Sequence, residues 1–370
     1  MKDMRSFIFC FSFSCIFGFF TCNKAFGKIA TWEKLPRGAN AFSELSLKDL
    51  KDAKASGINV IRIGAVGQHQ DLKYLVKNDS WDFSKKNTDR LEQSIKQARE
   101  AGIQVILTLS EVPGRKWEFK KHDYRIFADY QYHKKFTDGW KTIAKILASY
   151  DNVIGYDLLN EPLFPEEADD KSIDYQNLQK SIKGTPKDIN HLYKQTITAI
   201  REVDKNTPII IQPTSWGSRD ALDILERQSD EKVIYSFHYY DPFPYFAKRK
   251  NKGKIKYPGL VPQWINEKGK GPGRNWNHAT HLKELLKAKS WADKHSIPAH
   301  RIFVGEFGVW REAPGAEVYL KDVLGIFKDM GWSWTYYSYR ESGWDNVDLE
   351  LADDTGKNRK LFELIKPNFR

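Results

Sequence analysis

Eight short segments of the chain are apolar at both odd and even positions: GANAF (38–42), NVIRIGAV (59–66), IQVILTLS (103–110), VIGYDLL (153–159), PIIIQPTS (208–215), VIYSFHYY (233–240), IFVGEFGV (302–309) and GWSWTYYSY (331–339). β-Branched and aromatic residues dominate them, and a strand that is apolar on both faces is one that must be covered on both faces. Between them apolar positions recur at helical spacing, as in SLKDLKDAKASG, TDRLEQSIKQAREAG and DGWKTIAKILASY, the first with a serine cap and a glycine stop. Strand and helix therefore alternate, with no Pro/Ser/Gly-rich linker and no break in composition that would mark a second domain. The expected architecture is a single α/β domain folded as a (β/α)8 TIM barrel. A doubly wound sheet fits less well, because it usually has fewer strands and a glycine-rich phosphate turn, and neither G-x-G-x-x-G nor a P-loop occurs here. In such a barrel the site lies at the carboxyl ends of the strands. The longest inserts, 163–185 and 241–276, would overhang that mouth.

Composition changes this picture mainly at the amino terminus. At 370 residues, 41% hydrophobic and 29% charged, the chain is ordinary soluble globular material. Residues 1–27 differ: Lys2 and Arg5 precede the apolar run FIFCFSFSCIFGFF, and Ala25-Phe26-Gly27 offers the small residues of a cleavage site. This reads as an export signal, the alternatives being an uncleaved anchor or a lipid at Cys22. It leaves 28–370 as the barrel, a secreted or periplasmic protein with no membrane span, expected to be a monomer. All three cysteines, Cys10, Cys15 and Cys22, fall inside the signal, so a thiol nucleophile and a cysteine metal site are excluded from the remainder.

The net charge is +11, and removing Lys2, Arg5, Lys24 and Asp3 leaves +9. Much of it sits in 248–274, where nine Lys or Arg face only Glu267. A solvated loop is one reading, and attraction to an acidic glycan or anionic cell surface is the other. No nucleic-acid motif accompanies the charge.

The strand tips carry the candidate chemistry. Strand 4 ends in Asn160-Glu161-Pro162, and strand 7 delivers Glu306 between Gly305 and Gly308, which allow close approach. Two glutamates at the tips of nearly opposed barrel strands suit glycosidic bond cleavage, in which one carboxylic acid protonates the leaving oxygen and one carboxylate attacks the anomeric carbon. Taken singly, the bland alternative for either glutamate is a structural ion pair. His238 and Tyr240 share one parity of strand 6 and can both face the mouth, and Arg62 lies within strand 2.

On DLLNEP, SFHYYDP and VGEFGV, with RGAN and VIRI in support, nearly the whole of 28–370 resembles glycoside hydrolase family 5, the cellulase-like retaining glycosidases. The resemblance implies Glu161 as acid/base and Glu306 as nucleophile, with Asn160 on the sugar 2-hydroxyl and Arg62 holding Glu306 ionised. It implies His238 beside the acid/base and Tyr240 donating to Glu306, with no metal or organic cofactor. The raised pKa of the acid is expected from the neighbouring charge of Glu306. Two positions depart from the family pattern. Ser110 and Glu111 stand where strand 3 commonly ends in histidine, and Tyr337 aligns with the stacking tryptophan of strand 8, with Trp334 nearby. Trp216, Trp264 and Trp276 are further candidate sugar platforms, and Gly343-Trp344-Asp345 a candidate subsite wall.

The implied function is a retaining endo-β-1,4-glucanase acting on a polysaccharide or oligosaccharide. Mannan, β-1,3-glucan, xyloglucan and glycolipid glycans remain open as substrates. Two rivals from other classes are an inactive carbohydrate-binding barrel and a divalent-metal hydrolase using Asp157, Glu161, His238 and Glu306. Both carboxylates being present opposes the first, and the lack of an H-x-H or close His/Asp cluster opposes the second.

Overall fold

All eight expected strands form, and they close on each other. In the computed structural model, which describes residues 27–41, 44–64, 73–116, 122–168, 173–341, 345–350 and 359–369, the barrel strands are β1 (Arg37–Ala41), β2 (Val60–Gly64), β3 (Gln104–Thr108), β4 (Val153–Asp157), β5 (Ile209–Ile211), β6 (Val233–Tyr239), β7 (Ile302–Phe307) and β8 (Ser333–Tyr336). They pair in chain order, β1 also joining β8, and every barrel pairing is parallel. The signal segment lies outside the described residues, apart from Gly27. Among those described, no helix is long and apolar enough to cross a membrane.

The surrounding helices are α1 (Leu47–Ala55), α2 (Lys85–Glu100), α3 (Tyr130–Leu147), α4 (Ile189–Arg201), α5 (His278–Lys294), α6 (Ala316–Met330) and the short α7 (Lys360–Ile365). The Ser46 cap is a full capping box with Asp49, and Gly57 takes φ +94° just past the end of α1, as the pattern required. α3 begins at Tyr130, eight residues before the apolar pattern suggested, because the Asp129 side chain caps it by accepting from the Gln131 amide. Alternation fails once. The β5–β6 crossover carries no long helix, only the short turn Thr214–Gly217 and a 3-10 segment, Arg219–Ile224, whose buried residues Ala221, Leu222, Ile224 and Leu225 repeat at intervals of three rather than along a longer helical face.

Two apolar layers result. The larger lies between strands and helices. The smaller fills the floor of the barrel with Val60, Ile106, Ile154, Ile210, Ile234 and Phe303, closed from below by Trp32 on the short helix Ile29–Glu33. Trp32 is fully buried, donates its indole N–H to the Ile154 carbonyl at 2.9 Å and meets Phe303 edge-on. Trp32 thus closes the barrel at the strand amino ends.

Candidate active site

A bulge aims the strand 7 glutamate. Val304 and Phe307 both pack into the outer core, so the two residues between them cannot simply alternate, and the pairing of β7 with β6 slips between Val304 and Glu306. Gly305 absorbs the slip: a Cβ there would stand 2.6 Å from Ser236 Oγ. The extra residue turns Glu306 to the barrel interior, beside His238 on β6.

Glu306 is buried and held at both oxygens, Oε1 accepting from Arg62 Nη1 at 2.9 Å and Oε2 from the Tyr240 hydroxyl at 2.8 Å. Burial pushes its pKa up, while Arg62 and Tyr240 pull it back. Arg62, with no exposed surface, is spread over several acceptors: Asp157 Oδ2 at 2.9 Å, Asn40 Oδ1 at 2.9 Å and Asn160 Oδ1 at 2.5 Å. A buried guanidinium with a complete set of acceptors is a fixed positive centre.

Across the cavity, Glu161 sits in the left-handed region at φ +49°, a strained setting for a residue with a side chain. Its peptide is clamped on both sides. The amide N–H donates to Gln212 Oε1 at 3.1 Å, and the carbonyl accepts from Arg115 Nη2 at 2.7 Å. Gln212 Nε2 in turn donates to both oxygens of Asp157 at 2.9 Å. One hydrogen-bonded chain thus runs from Glu306 through Arg62, Asp157 and Gln212 to the backbone of Glu161.

His238 Nδ1 lies 2.9 Å from Glu161 Oε1 and 3.6 Å from Glu306 Oε2. Burial pushes its pKa down to about 4, so the imidazole is neutral near neutrality and can donate to an ionised Glu161 or accept from a protonated one. Burial raises Glu161 to about 7, opposed by Arg62 and then Arg115. Loss of solvent, rather than the expected charge of Glu306, is the leading cause on Glu161, and the repulsion between the two carboxylates acts to raise Glu306.

Other sequence candidates divide. Tyr337 is buried beside Tyr240 in a small cluster with Phe246 and Val347, and its hydroxyl donates to Glu341 at 2.8 Å. Trp334 is not at the mouth. Its ring meets Phe307 and Phe369 in the outer core, since its parity on β8 sends it toward the helices. Trp276 is likewise buried, against His281, and is packing rather than platform. Trp216 stays 37% exposed beside Pro162, whose carbonyl accepts its amide, on a turn where Ser215 and Trp216 both have positive φ. Trp264 is at the surface of the basic loop. Ser110 is buried, its carbonyl accepting from Arg115, and Gly343 and Trp344 lie outside the described residues.

Asn40, Gln212 and Arg115 were missed as site residues, and Asp157 was weighed only as a metal ligand. Asn40 Nδ2 donates to the carbonyls of Gly305, Thr335 and Tyr336, so it pins the bulge of β7 to β8. A usable signal was present for three of the four, each being the single strongly polar residue in an otherwise apolar strand segment. The carboxylates of Glu161 and Glu306 and a nitrogen of His238 converge within 4.8 Å, a spacing that could seat a divalent cation. Asp157 does not join them, being taken up by Arg62 and Gln212, and the guanidinium already on Glu306 opposes a second cation there.

The description "Cellulase (glycosyl hydrolase family 5)" matches residues 27–343. Endoglucanase C of Acetivibrio thermocellus is 22% identical over 279 residues, covering 71% of this chain and 74% of that one. Among solved structures, a hyperthermophilic endo-β-1,4-glucanase in complex with substrate superposes with a TM-score of 0.67 at 19% identity, over 92% of this chain and 99% of that one. Thermotoga maritima Cel5A in complex with a mannotriose substrate gives a TM-score of 0.65 at 19% identity, over 92% and 99% of the two chains.

Proposed function

Because the chain belongs to glycosyl hydrolase family 5, the cellulase family, and is a glycosidase, we propose that it is a retaining endo-β-1,4-glucanase with Glu161 as acid/base and Glu306 as nucleophile. The observation that carries the reading is the approach of an oxygen of each carboxylate within 4.8 Å of the other, with Glu306 buried and Glu161 partly exposed. Retention uses carboxyls about 5 to 5.5 Å apart, whereas inversion needs about 6.5 to 9.5 Å to admit a water between them.

In the first step Glu306, ionised under Arg62 and Tyr240, attacks the anomeric carbon while protonated Glu161 gives its proton to the departing oxygen. In the second, Glu161 takes a proton from water, which opens the glycosyl ester and frees Glu306. Asn160, whose oxygen is occupied by Arg62, keeps its amide N–H donors for the sugar 2-hydroxyl, an interaction that strengthens in the transition state. Trp216 and Tyr337 serve as sugar contacts on either side of the bond cleaved. The endo-β-1,4-glucan assignment follows the names of the relatives, and β-1,4-mannan is the second reading because a structural neighbour is known with mannotriose. Residues 1–27 are proposed as the export signal, and the protein acts outside the cytoplasm as a monomer.

The test is hydrolysis of β-1,4-glucan and β-1,4-mannan oligosaccharides by the purified protein, with the anomer of the first product followed by NMR. Retained product from an internal cut of cello-oligosaccharide is expected. Inverted product would remove the assignment of Glu306 as nucleophile.

A further inference from the structure

The mouth leaves the basic insert unexplained. Within 248–270 stand seven lysines against the single acid Glu267, and among the described residues none of the seven pairs with a carboxylate. The two arginines of the wider insert 248–274 are engaged: Arg249 with Asp345, and Arg274 with Glu284 at 2.7 Å. The fold has paired the arginines and left six of the seven lysines exposed, Lys250 being half-buried.

The same insert carries apolar surface. Its hairpin pairs Gly259–Pro262 with Gly273–Trp276, which buries Val261 and Trp276 on the inner face and turns Leu260 outward. Leu260 is 64% exposed and lies across Gly273, where a Cβ would stand 2.7 Å from it. Trp264, 36% exposed, lies across Gly271 in the same manner. Two large apolar side chains are therefore laid over glycines on the outer face of a protruding hairpin, with Lys268 at its tip and Lys270 opposite Ile265.

We propose that this hairpin docks the protein onto an anionic phospholipid bilayer, with Leu260 and Trp264 entering the headgroup boundary and the lysines meeting lipid phosphates. A specific site for an acidic sugar would favour arginine forks, which match a carboxylate in two places, and would have no use for an exposed leucine. Lysines at the hairpin tip, with a leucine and a tryptophan exposed along the same hairpin, suit a fluid anionic surface, where each contributes independently and the stems lie along the boundary. Leu260, Trp264, Lys268 and Lys270 are not among the side chains that hold Glu161 or Glu306, so the proposal holds whichever glycan the mouth accepts.

The experiment is co-sedimentation of the purified protein with vesicles of phosphatidylcholine, with and without about one-third phosphatidylglycerol, at low and high salt. Binding only to the anionic vesicles, weakened by salt, is expected. The double substitution Lys268→Gln/Lys270→Gln should weaken it about 25-fold, or about fivefold per lysine. Leu260→Ser should weaken it roughly fivefold at unchanged charge. Both variants should hydrolyse a soluble oligosaccharide at the unaltered rate. Because residues 1–27 have an apolar run of their own, the comparison is made between loop variants of identical preparations. Equal binding to neutral and anionic vesicles, or insensitivity to the lysine substitutions, overturns the proposal. Retention by a soluble polyuronate that responds to the lysines but not to Leu260 also overturns it, in favour of an acidic polymer.

Discussion

The two ends of the barrel are built from the same strands and are opposite in chemistry. Val60 and Arg62, Ile210 and Gln212, and Phe303 and Glu306 are neighbours two or three residues apart, the first of each pair in the apolar floor and the second in the polar mouth. At the floor, burial is maximal and the one buried indole N–H is satisfied by a carbonyl. At the mouth, the Glu306 carboxylate, a guanidinium and a neutral imidazole are held out of water, and Glu161 is partly exposed and kept in a strained backbone setting. The floor supplies stability that the mouth spends on fixed charge. Substitutions at the two ends should therefore separate, those at the mouth changing rate and those at the floor changing stability.

The largest effect expected from that contrast is at the carboxylates. Glu161→Gln should lower kcat/KM by about 10²- to 10⁴-fold on substrates with a poor leaving group, and Glu306→Gln by more. The double variant should be little worse than Glu306→Gln alone, since the two act as a unit. With Glu161 raised to about 7, the rate of the first step should fall as pH rises through that value, because the proton to be donated is lost. On an aryl glycoside whose leaving group needs no proton, Glu161→Gln should remove that basic limb. A limb unchanged in the variant would mean that another group is the acid.

Next comes the floor. Trp32→Ala should lower unfolding free energy by about 3 to 5 kcal/mol, since a fully buried indole and its hydrogen bond are lost together. The pH profile of the remaining folded enzyme should not move. Denaturant melts alongside pH–rate curves would show this, and a shifted basic limb would mean that floor and mouth are coupled.

A third region sharpens the contrast because it keeps buried charge for stability alone. Glu284 is ringed by Arg219, Arg274 and Lys287, and those partners overcome burial to bring its pKa from an ordinary 4.5 down to about 2. The folded value lies below the unfolded one, so the stabilisation is fully present above about pH 4.5 and is lost as pH falls toward 2. Glu284→Gln should cost about 2 kcal/mol at neutral pH and flatten the acid side of the stability curve. An equally steep acid limb in the variant would place that sensitivity elsewhere.

How much of this was legible follows from what strand patterns encode. Apolar runs on both parities identify barrel strands, and a polar residue ending such a run stands out, so the eight strands and the placement of Glu161, Glu306, Arg62 and Tyr240 could be read directly. Register is not encoded in that way. GWSWTYYSY is aromatic on both faces, so only pairing with β1 and β7 decides that Trp334 goes to the outer core and Tyr337 toward the mouth. Likewise the bulge at Gly305 adds a residue that no count of alternation anticipates. Arg115 belongs to a loop with no periodicity, and its reach to the Glu161 carbonyl is visible only once β3 and β4 are side by side.

The smallest effect, and the finest probe of the mouth, is Tyr240→Phe. Its hydroxyl gives Glu306 a hydrogen bond that favours the ionised carboxylate and opposes the burial that raises its pKa. Removing it should raise the pKa of Glu306 further, so the acid limb of kcat/KM moves to higher pH while the basic limb near 7 stays with Glu161. A hydrogen bond to a charged group is worth about 1.5 kcal/mol, so the loss is roughly tenfold and greatest at acid pH. Trp32→Ala, which deletes far more packing, should leave both limbs in place. The smaller substitution thus moves chemistry and the larger one moves stability, and a Tyr240→Phe enzyme that lost only stability, with its acid limb unmoved, would show that Tyr240 belongs with the packing rather than with Glu306.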